Sequence, residues 1–400
     1  MGDSNTLPVL PPSCWRSGFT AFRDAYSPTT EASDSFLWAS YLVAAGMVLG
    51  RNARLKTAFR IYPNLYAVNV GESGSTRKST AQAYARDVLE IADPKIRVVQ
   101  GVGSAEGFLT LLGVGASPQR VLIHLNELST LLRKGGQDAT RTLLPFITEI
   151  FDCPPKSDLI VRNNPITALQ PFLGIHASTT RDWLLNSLSV DDVRGGLAGR
   201  FIYIIGHEKP PIPWPSTPDE DARDSAIRTL IAAKERHEVS PHVYDCDAHG
   251  HDYFSDWYIA ERSRTYDNEL RSCLSQRFHV HAWKVAIIFA ALEGTPLITG
   301  DQMRAACAFA DYQREAQAYV FENLEDEEKP MKAGALERRI LKYLKSNVGT
   351  LSFTDLRRKL GGSTPSRDVM TVITSLQQIG MVTLHRGPHG GTHISLSTTS

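Results

Sequence analysis

The segment that most constrains the fold lies between residues 66 and 91, where an apolar strand pattern leads into a Gly/Ser-rich loop and then a helix. The strand pattern ends at Val70, and Lys78-Ser79-Thr80 opens the helical pattern. Backbone N–H groups in such a loop point at phosphate oxygens, and the helix N-terminus adds the positive end of its dipole. The pattern predicts a nucleotide-phosphate-binding loop in which Lys78 reaches the β- and γ-phosphates and Ser79 holds Mg²⁺.

The loop departs from the standard pattern G-x-x-x-x-G-K-[ST] at two places. Gly71 lies one residue further from Lys78, and Arg77 stands where a glycine is usual. Positive φ is strained for arginine, so a tight turn there needs compensation. The residues predicted to contact the nucleotide are Gly71, Gly74, Ser75, Thr76, Arg77, Lys78, Ser79 and Thr80. The alternative is a Ser/Gly loop that caps an ordinary helix.

Length and composition indicate a globular protein of several domains. The chain has 400 residues, and its lysines and arginines equal its acidic residues in number, so net charge favours no particular partner. Its five cysteines are scattered without a C-x-x-C pair, which fits reduced thiols in a cytosol. We see no secretory signal, and the most apolar stretch (36–49) is too short to span a bilayer. The expected location is therefore the cytoplasm.

Strand and helix patterns alternate through the first half of the chain, which predicts an α/β domain with a parallel sheet. We expect an irregular or helical segment (1–60, irregular before residue 30), a core (61–210), a helical lid (211–325) and a separate C-terminal unit (332–400). Four prolines between residues 210 and 215 break the chain after the core, and an acidic stretch at 325–328 suggests a linker.

A second polar site follows the apolar strand pattern of residues 121–125. ATPases need a polar group that helps hold Mg²⁺ and a carboxylate that polarises the attacking water. Asn126 and Glu127 occupy these places, and Glu127 is the candidate base. Asn126 stands where Asp is commoner, which predicts weaker direct Mg²⁺ binding. A helix cap after a core strand is the alternative.

Three further residues are predicted to act on the nucleotide. Ser178 ends a neighbouring strand pattern and would position the water or sense the γ-phosphate, although the alternative is a cap, Thr179 or Thr180, for a helix at 181–188. Arg200, in a Gly-flanked surface segment, would stabilise phosphate charge across a subunit interface, in preference to Arg194. Arg277 would reach the same nucleotide from the helical lid. A surface arginine on a loop is the alternative.

Two segments have patterns typical of DNA contacts. Residues 158–169 predict a β-hairpin with a turn at Asn163-Asn164-Pro165, in which Arg162 and Asn163 would grip a nucleic-acid backbone. Residues 332–400 carry ten lysines and arginines against three acidic residues, a balance of +7. Their order of three helices and a hairpin predicts a winged helix, either DNA-binding or protein-docking. The candidate DNA contacts there are Arg357, Arg358, Lys359, Arg367 and Arg386.

With these motifs in place, residues 35–325 resemble a family of phage-, plasmid- and island-borne P-loop ATPases related to replicative helicases. The matching features include Gly71-Glu-Ser-Gly with Arg77-Lys78-Ser79-Thr80, Ser104-Ala-Glu-Gly, Asn126-Glu127-Leu-Ser and Gly195-Gly-Leu-Ala-Gly-Arg-Phe201. The resemblance implies a RecA/AAA-type core that uses ATP and Mg²⁺. It also implies a homo-oligomeric ring, possibly a hexamer, with single-stranded DNA in its channel and duplex DNA at the winged helix.

Two functions remain open on the sequence. The first is an ATP-hydrolysing DNA motor, a helicase of a mobile element. The second is a DNA-binding regulator or initiator that uses nucleotide only as a switch. A metabolic phosphotransferase is disfavoured because a basic winged helix has no use there.

Overall fold

The computed structural model describes residues 7–113, 119–135, 142–161, 164–188, 190–266, 269–322, 335–345, 350–360, 366–378, 380–386 and 392–397. The chain divides into two compact units, 1–322 and 323–400. The three segments predicted within residues 1–325 therefore share one compact unit, and the predicted acidic linker at 325–328 lies outside the described residues.

The larger unit is built from the following elements. Its helices are α1 Gly18–Tyr26, α2 Asp34–Leu49, α3 Lys78–Ala92, α4 Ala105–Gly113, α5 Ser129–Gly135, α6 Leu143–Ile150, α7 Arg181–Leu185, α8 Val190–Arg194, α9 Glu220–Val239, α10 Ala248–Arg262, α11 Glu269–Ser275, α12 Phe278–Glu293 and α13 Gly300–Val320. Its strands are β1 Ala53–Leu55, β2 Tyr66–Val70, β3 Arg97–Val99, β4 Arg120–Leu125, β5 Lys156–Val161, β6 Asn164–Leu169, β7 Phe172–Thr179, β8 Phe201–Ile205 and β9 His242–Tyr244.

The predicted parallel sheet is confirmed. Its five strands lie in the order β3-β4-β7-β2-β8, and every neighbouring pair is parallel. Strands β2, β7 and β8 are buried throughout, as expected for a parallel sheet covered on both faces. The apolar helix α2 packs against these three strands and also against α1, α3, α9 and α12, which explains why all but its first residue are buried. Because the strands are parallel, their carboxyl ends share one edge.

Three local predictions are wrong. Residues 18–26 form α1 rather than irregular chain, because Phe19, Phe22 and Tyr26 recur at helical spacing and bury one face. The helical segment after residue 220 includes the strand β9, which pairs in parallel with β1 outside the central sheet. The hairpin β5–β6 forms, but Asn164 and Pro165 belong to β6, where they pair with Val161 and Ile160.

The smaller unit has the element order that the sequence predicts. It contains α14 Ala335–Lys345, β10 Leu351–Ser352, α15 Phe353–Leu360, α16 Ser366–Gln378, β11 Val382–Arg386 and β12 Thr392–Leu396. The strands form an antiparallel sheet in the order β10-β12-β11. Its core is a single apolar cluster that includes Ile340, Leu356, Ile373 and Ile394.

Among the described helices, none is both long and apolar enough to cross a bilayer.

Candidate nucleotide-binding site

The candidate phosphate loop connects the carboxyl end of β2 to the first residue of α3, Lys78. A Cβ atom at Gly71 would lie 2.7 Å from Thr76 Oγ1 and 3.1 Å from Phe36 Cζ, so the start of the loop needs glycine. The Thr76 hydroxyl donates to the carbonyl of Glu72 at 2.9 Å and closes the loop on itself. Gly74 has a φ of +86° and lies in open space. The local sequence therefore specifies a tight loop at the edge where ligands of open α/β sheets bind.

Lys78 lies across this loop. Its ammonium donates to the carbonyls of Gly71 at 2.7 Å and Glu72 at 2.8 Å. Burial lowers the pKa of Lys78, and the nearby carboxylates of Glu127 and Glu72 oppose that shift. Two backbone carbonyls thus hold the ammonium over the loop that is predicted to bind the phosphates. The role of Lys78 in phosphate binding stays a prediction.

Arg77 takes the strained conformation that the sequence suggested. It caps α3 with φ 46° and ψ 40°, in the left-handed region. Its guanidinium Nε donates to Glu31 at 3.0 Å, and Glu31 also accepts the backbone N–H of Ile212 at 2.9 Å. Arg77 therefore holds a backbone conformation that favours glycine, and its side chain makes an ion pair with Glu31. The side chain of Arg77 points to Glu31, so its contribution to a nucleotide would come from the backbone.

Two predicted metal ligands are accessible. The Ser79 side chain is exposed at the start of α3, and Asn126 is exposed immediately after β4. Neither makes a hydrogen bond with any of the residues that the structure describes. Hydroxyl and amide oxygens are ligands that Mg²⁺ accepts, and it commonly keeps several waters beside one or two protein groups. Ser75 is also exposed, and Thr80 is half-buried.

Glu127 is held in place at the same edge. Its Oε1 accepts the Thr179 hydroxyl at 2.7 Å and the backbone N–H of Ser129 at 3.1 Å. The arrangement follows from strand order, because β7 lies between β4, which precedes Glu127, and β2, which precedes the phosphate loop. The structure thus brings together Lys78 and Glu127, which are far apart in sequence, with Thr179 between their strands.

Thr179 is the residue that sequence reasoning passed over in favour of Ser178. Successive strand residues point to opposite faces of a sheet. Thr179 is the one that meets Glu127, whereas the Ser178 hydroxyl is buried without a hydrogen-bond partner among the described residues. Thr180 caps α7 by accepting the N–H of Trp183 at 3.3 Å, which confirms the helix-cap alternative for that position. Only the pairing register of β7 determines that Thr179, and not Ser178, points towards Glu127.

Arg200 and Arg277 meet at the opposite edge of the sheet. Arg200 directly precedes β8, whose first residue pairs with Tyr66 at the start of β2. Arg200 donates to Asp152 Oδ2 at 3.0 Å and Arg277 to Asp152 Oδ1 at 3.3 Å. Burial lowers the pKa of Arg277, with the charge of Arg200 adding to the effect. Both arginines therefore bind the Asp152 carboxylate, at the sheet edge opposite the phosphate loop of their own chain.

The expectation of a surface arginine is wrong for Arg200. It is only 7% exposed and also donates to the carbonyl of Gly196 at 2.9 Å. Arg194, which was disfavoured, is the exposed arginine of this segment and pairs with Glu269 at 3.0 Å. The packing of residues 198–200 against α11 buries Arg200, which the glycines on either side do not indicate.

The predicted DNA contacts are less completely described. Arg357, Arg358 and Lys359 lie on α15, where Arg358 is highly exposed and pairs with Asp355. Arg367 belongs to α16 and Arg386 ends β11, but their side chains are outside the described part of the structure. Arg162 and Asn163 lie outside the described residues altogether.

Comparison with known proteins gives no family assignment. No family model matches the chain, and no curated protein matches its sequence. Among solved structures, the chain is similar to a full-length MCM homologue from Methanopyrus kandleri, with a TM-score of 0.44 and 12% sequence identity. The similarity covers 75% of this chain and 59% of the homologue, so the chain spans less than two thirds of that protein. A likeness this distant says nothing about function.

Proposed function

We propose that this protein is an ATP-dependent DNA motor, a ring-forming replicative helicase of a mobile genetic element. The observation that carries the proposal is the meeting of Lys78 and Glu127 at one sheet edge. Lys78 lies in a loop that presents backbone groups, and Glu127 accepts a hydrogen bond from Thr179 on the strand between. A cation that binds phosphate and a carboxylate that orients water are two of the protein groups that ATPases use for hydrolysis.

ATP and Mg²⁺ fit this edge. The loop supplies N–H groups at a helix N-terminus, and the exposed oxygens of Ser79 and Asn126 suit a hard cation. Bound Mg²⁺ would neutralise charge on the phosphates. Lys78 would bind the β- and γ-phosphates once it leaves the carbonyls of Gly71 and Glu72. Glu127 would accept the proton of the attacking water, with Thr179 fixing the carboxylate.

DNA would be engaged at two places. The hairpin β5–β6, with Arg162 and Asn163 between its paired ends, would reach single-stranded DNA in the ring channel. The smaller unit would act as a winged helix on duplex DNA, through Arg357, Arg358, Lys359, Arg367 and Arg386. The balance of +7 across residues 332–400 supports an attraction to phosphates.

Ring formation would bring Arg200 and Arg277 to a neighbouring subunit's nucleotide. Their position at the sheet edge opposite the phosphate loop supports action in trans, because they lie away from the site of their own chain. Asp152 would have to release them. Mixing Arg200→Ala with Lys78→Ala subunits should then partly restore turnover, whereas each variant alone is inactive. Absence of restoration in mixed oligomers would remove Arg200 from this role.

A nucleotide-switched regulator or initiator is the second candidate function. Two observations favour it: Asn126 replaces the usual acidic residue, and Glu127 is already engaged by Thr179 and the N–H of Ser129. A carboxylate retained in these bonds would leave ATP bound and unhydrolysed.

DNA-stimulated ATP turnover by the purified chain separates the two functions. A motor should hydrolyse ATP faster with DNA, and Glu127→Gln should slow hydrolysis by about 10²- to 10⁴-fold while ATP stays bound, because only water activation is lost. If wild-type protein binds ATP but turns none over with single-stranded or duplex DNA, the motor proposal fails and the switch gains support.

A further inference from the structure

The segment between α2 and β2 has a charge pattern that the proposed function leaves unused. No acidic residue occurs between Asp34 and Glu72, whereas Arg51, Arg54, Lys56 and Arg60 all lie in this interval. Across residues 51–60 the chain therefore carries four positive charges and no negative one.

The same interval contains an exposed aromatic ring. Leu55, at the end of β1, donates its N–H to the carbonyl of Ile61 at 3.0 Å, which closes residues 56–60 into a loop. Phe59 lies in this loop with 71% of its surface exposed. The side chains of Arg54 and Arg60 make no hydrogen bond or ion pair with any residue that the structure describes, while Lys56 pairs with Asp245 at 2.8 Å. Two guanidinium groups with no partner in the described part of the chain thus lie within five residues of an exposed phenyl ring.

Arg51, two residues before β1, contacts the base of the hairpin β5–β6. Its guanidinium donates to the carbonyls of Cys153 at 3.2 Å and Pro154 at 3.4 Å, just before β5, and of Pro171 at 3.0 Å, just after β6. Arg51 therefore lies beside the base of the hairpin, and the loop at 56–60 precedes β2 in the chain. The phosphate loop follows the other end of β2, about 13 Å away along the strand.

We propose that the loop at 56–60 is a contact site for single-stranded nucleic acid. Phe59 stacks on a base, and Arg54 and Arg60 bind the phosphates on either side. An exposed aromatic ring among basic side chains is the combination that single strands require, because every base has a stacking face that a duplex conceals. Charge and ring together favour this partner over a protein surface. The inference rests on the proposed DNA motor and assigns a further part of its strand-binding surface.

The test is photo-crosslinking of the full-length protein to single-stranded DNA containing 5-iodouracil, followed by mass spectrometry of the peptides. The expected crosslink is at Phe59. In equilibrium binding, Phe59→Ala should weaken single-strand affinity by roughly 5- to 150-fold, the loss typical of one stacked base. Phe59→Tyr should retain wild-type affinity because it keeps the ring. Arg60→Ala should lower the slope of log K against log salt by about 0.7, the value for one phosphate of a single strand.

The matched control is Trp214→Ala. Trp214 is 91% exposed, and no lysine or arginine lies between Lys209 and Arg223, so this variant should bind single strands like wild-type. Crosslinks confined to residues 332–400, with unchanged affinity in Phe59→Ala, would overturn the site and leave the DNA motor standing. No single-strand binding by wild-type even at low salt would instead refute the motor and this inference together. Normal strand binding with lost oligomerisation in Phe59→Ala would make the loop a protein contact.

Discussion

Replacing Arg77 by glycine tests the geometry of the phosphate loop. Arg77 holds a left-handed conformation (φ 46°, ψ 40°), which costs an L-residue with a Cβ atom about 1–2 kcal/mol. Glycine avoids that cost, but its freer unfolded chain gives back about 0.4–1 kcal/mol. The ion pair to Glu31 contributes little because the arginine side chain is more than half exposed. We therefore expect Arg77→Gly to exceed Arg77→Ala in free energy of unfolding by roughly 0.8 kcal/mol, the difference between the middle values of these two ranges.

Tryptophan fluorescence during urea unfolding measures this difference. All six tryptophans lie between residues 15 and 283, so the signal reports only the larger unit. Arg77→Ala is the matched control, because it loses the same ion pair but keeps a Cβ atom. Arg77→Gly should also retain ATP affinity, since glycine is the residue that standard phosphate loops have at this position. An alanine variant as stable as the glycine variant would refute the left-handed loop.

The remaining predictions concern Thr179, Lys284 and the smaller unit. Thr179→Val should slow ATP turnover by about 10- to 100-fold at unchanged ATP affinity, because the Glu127 carboxylate loses a hydrogen-bond donor. Thr179→Ser keeps the hydroxyl and should keep turnover. Equal turnover rates in the two variants would mean that Thr179 is not part of the site. Burial lowers the pKa of Lys284 from 10.5 to about 8, so the unfolded chain binds more protons between these values and stability should rise with pH across that window. Lys284→Met should flatten that rise, and an unchanged profile would mean that the ammonium is not desolvated. Residues 332–400 should bind duplex DNA with an affinity that falls steeply with salt, and salt-independent binding would contradict phosphate contacts.

Strand and helix positions were the part that sequence patterns predicted well. The strand β4 contains the strand pattern of residues 121–125, and the smaller unit has the predicted order of three helices and a hairpin, because apolar runs and amphipathic repeats each specify one element. The phosphate loop and the Asn126-Glu127 pair were also recognisable, since each follows directly from a strand that ends in polar residues. Strands, helices and these two motifs can be predicted because each is specified by residues that are adjacent in the sequence.

Long-range packing was what the sequence concealed. That Thr179 rather than Ser178 meets Glu127 depends on the register of β7 against its neighbours. The burial of Arg200 depends on α11, which lies some 70 residues further along the chain. Asp152 joins Arg200 to Arg277 only because three distant segments converge there. Such contacts leave no local pattern from which to predict them.

Equilibrium binding of Mg–ATP to wild-type protein and to Lys78→Ala tests the central claim most directly. Hydrogen bonds to charged groups contribute about 1.5–3 kcal/mol, so loss of the ammonium should weaken binding at least tenfold. Lys95→Ala is the matched control, because Lys95 is an exposed lysine beyond the far end of α3 and should not change the affinity. Tight binding by wild-type and by Lys95→Ala, with loss in Lys78→Ala, is the result we predict. Wild-type affinity in Lys78→Ala would contradict the assignment of residues 71–80 as the phosphate-binding loop.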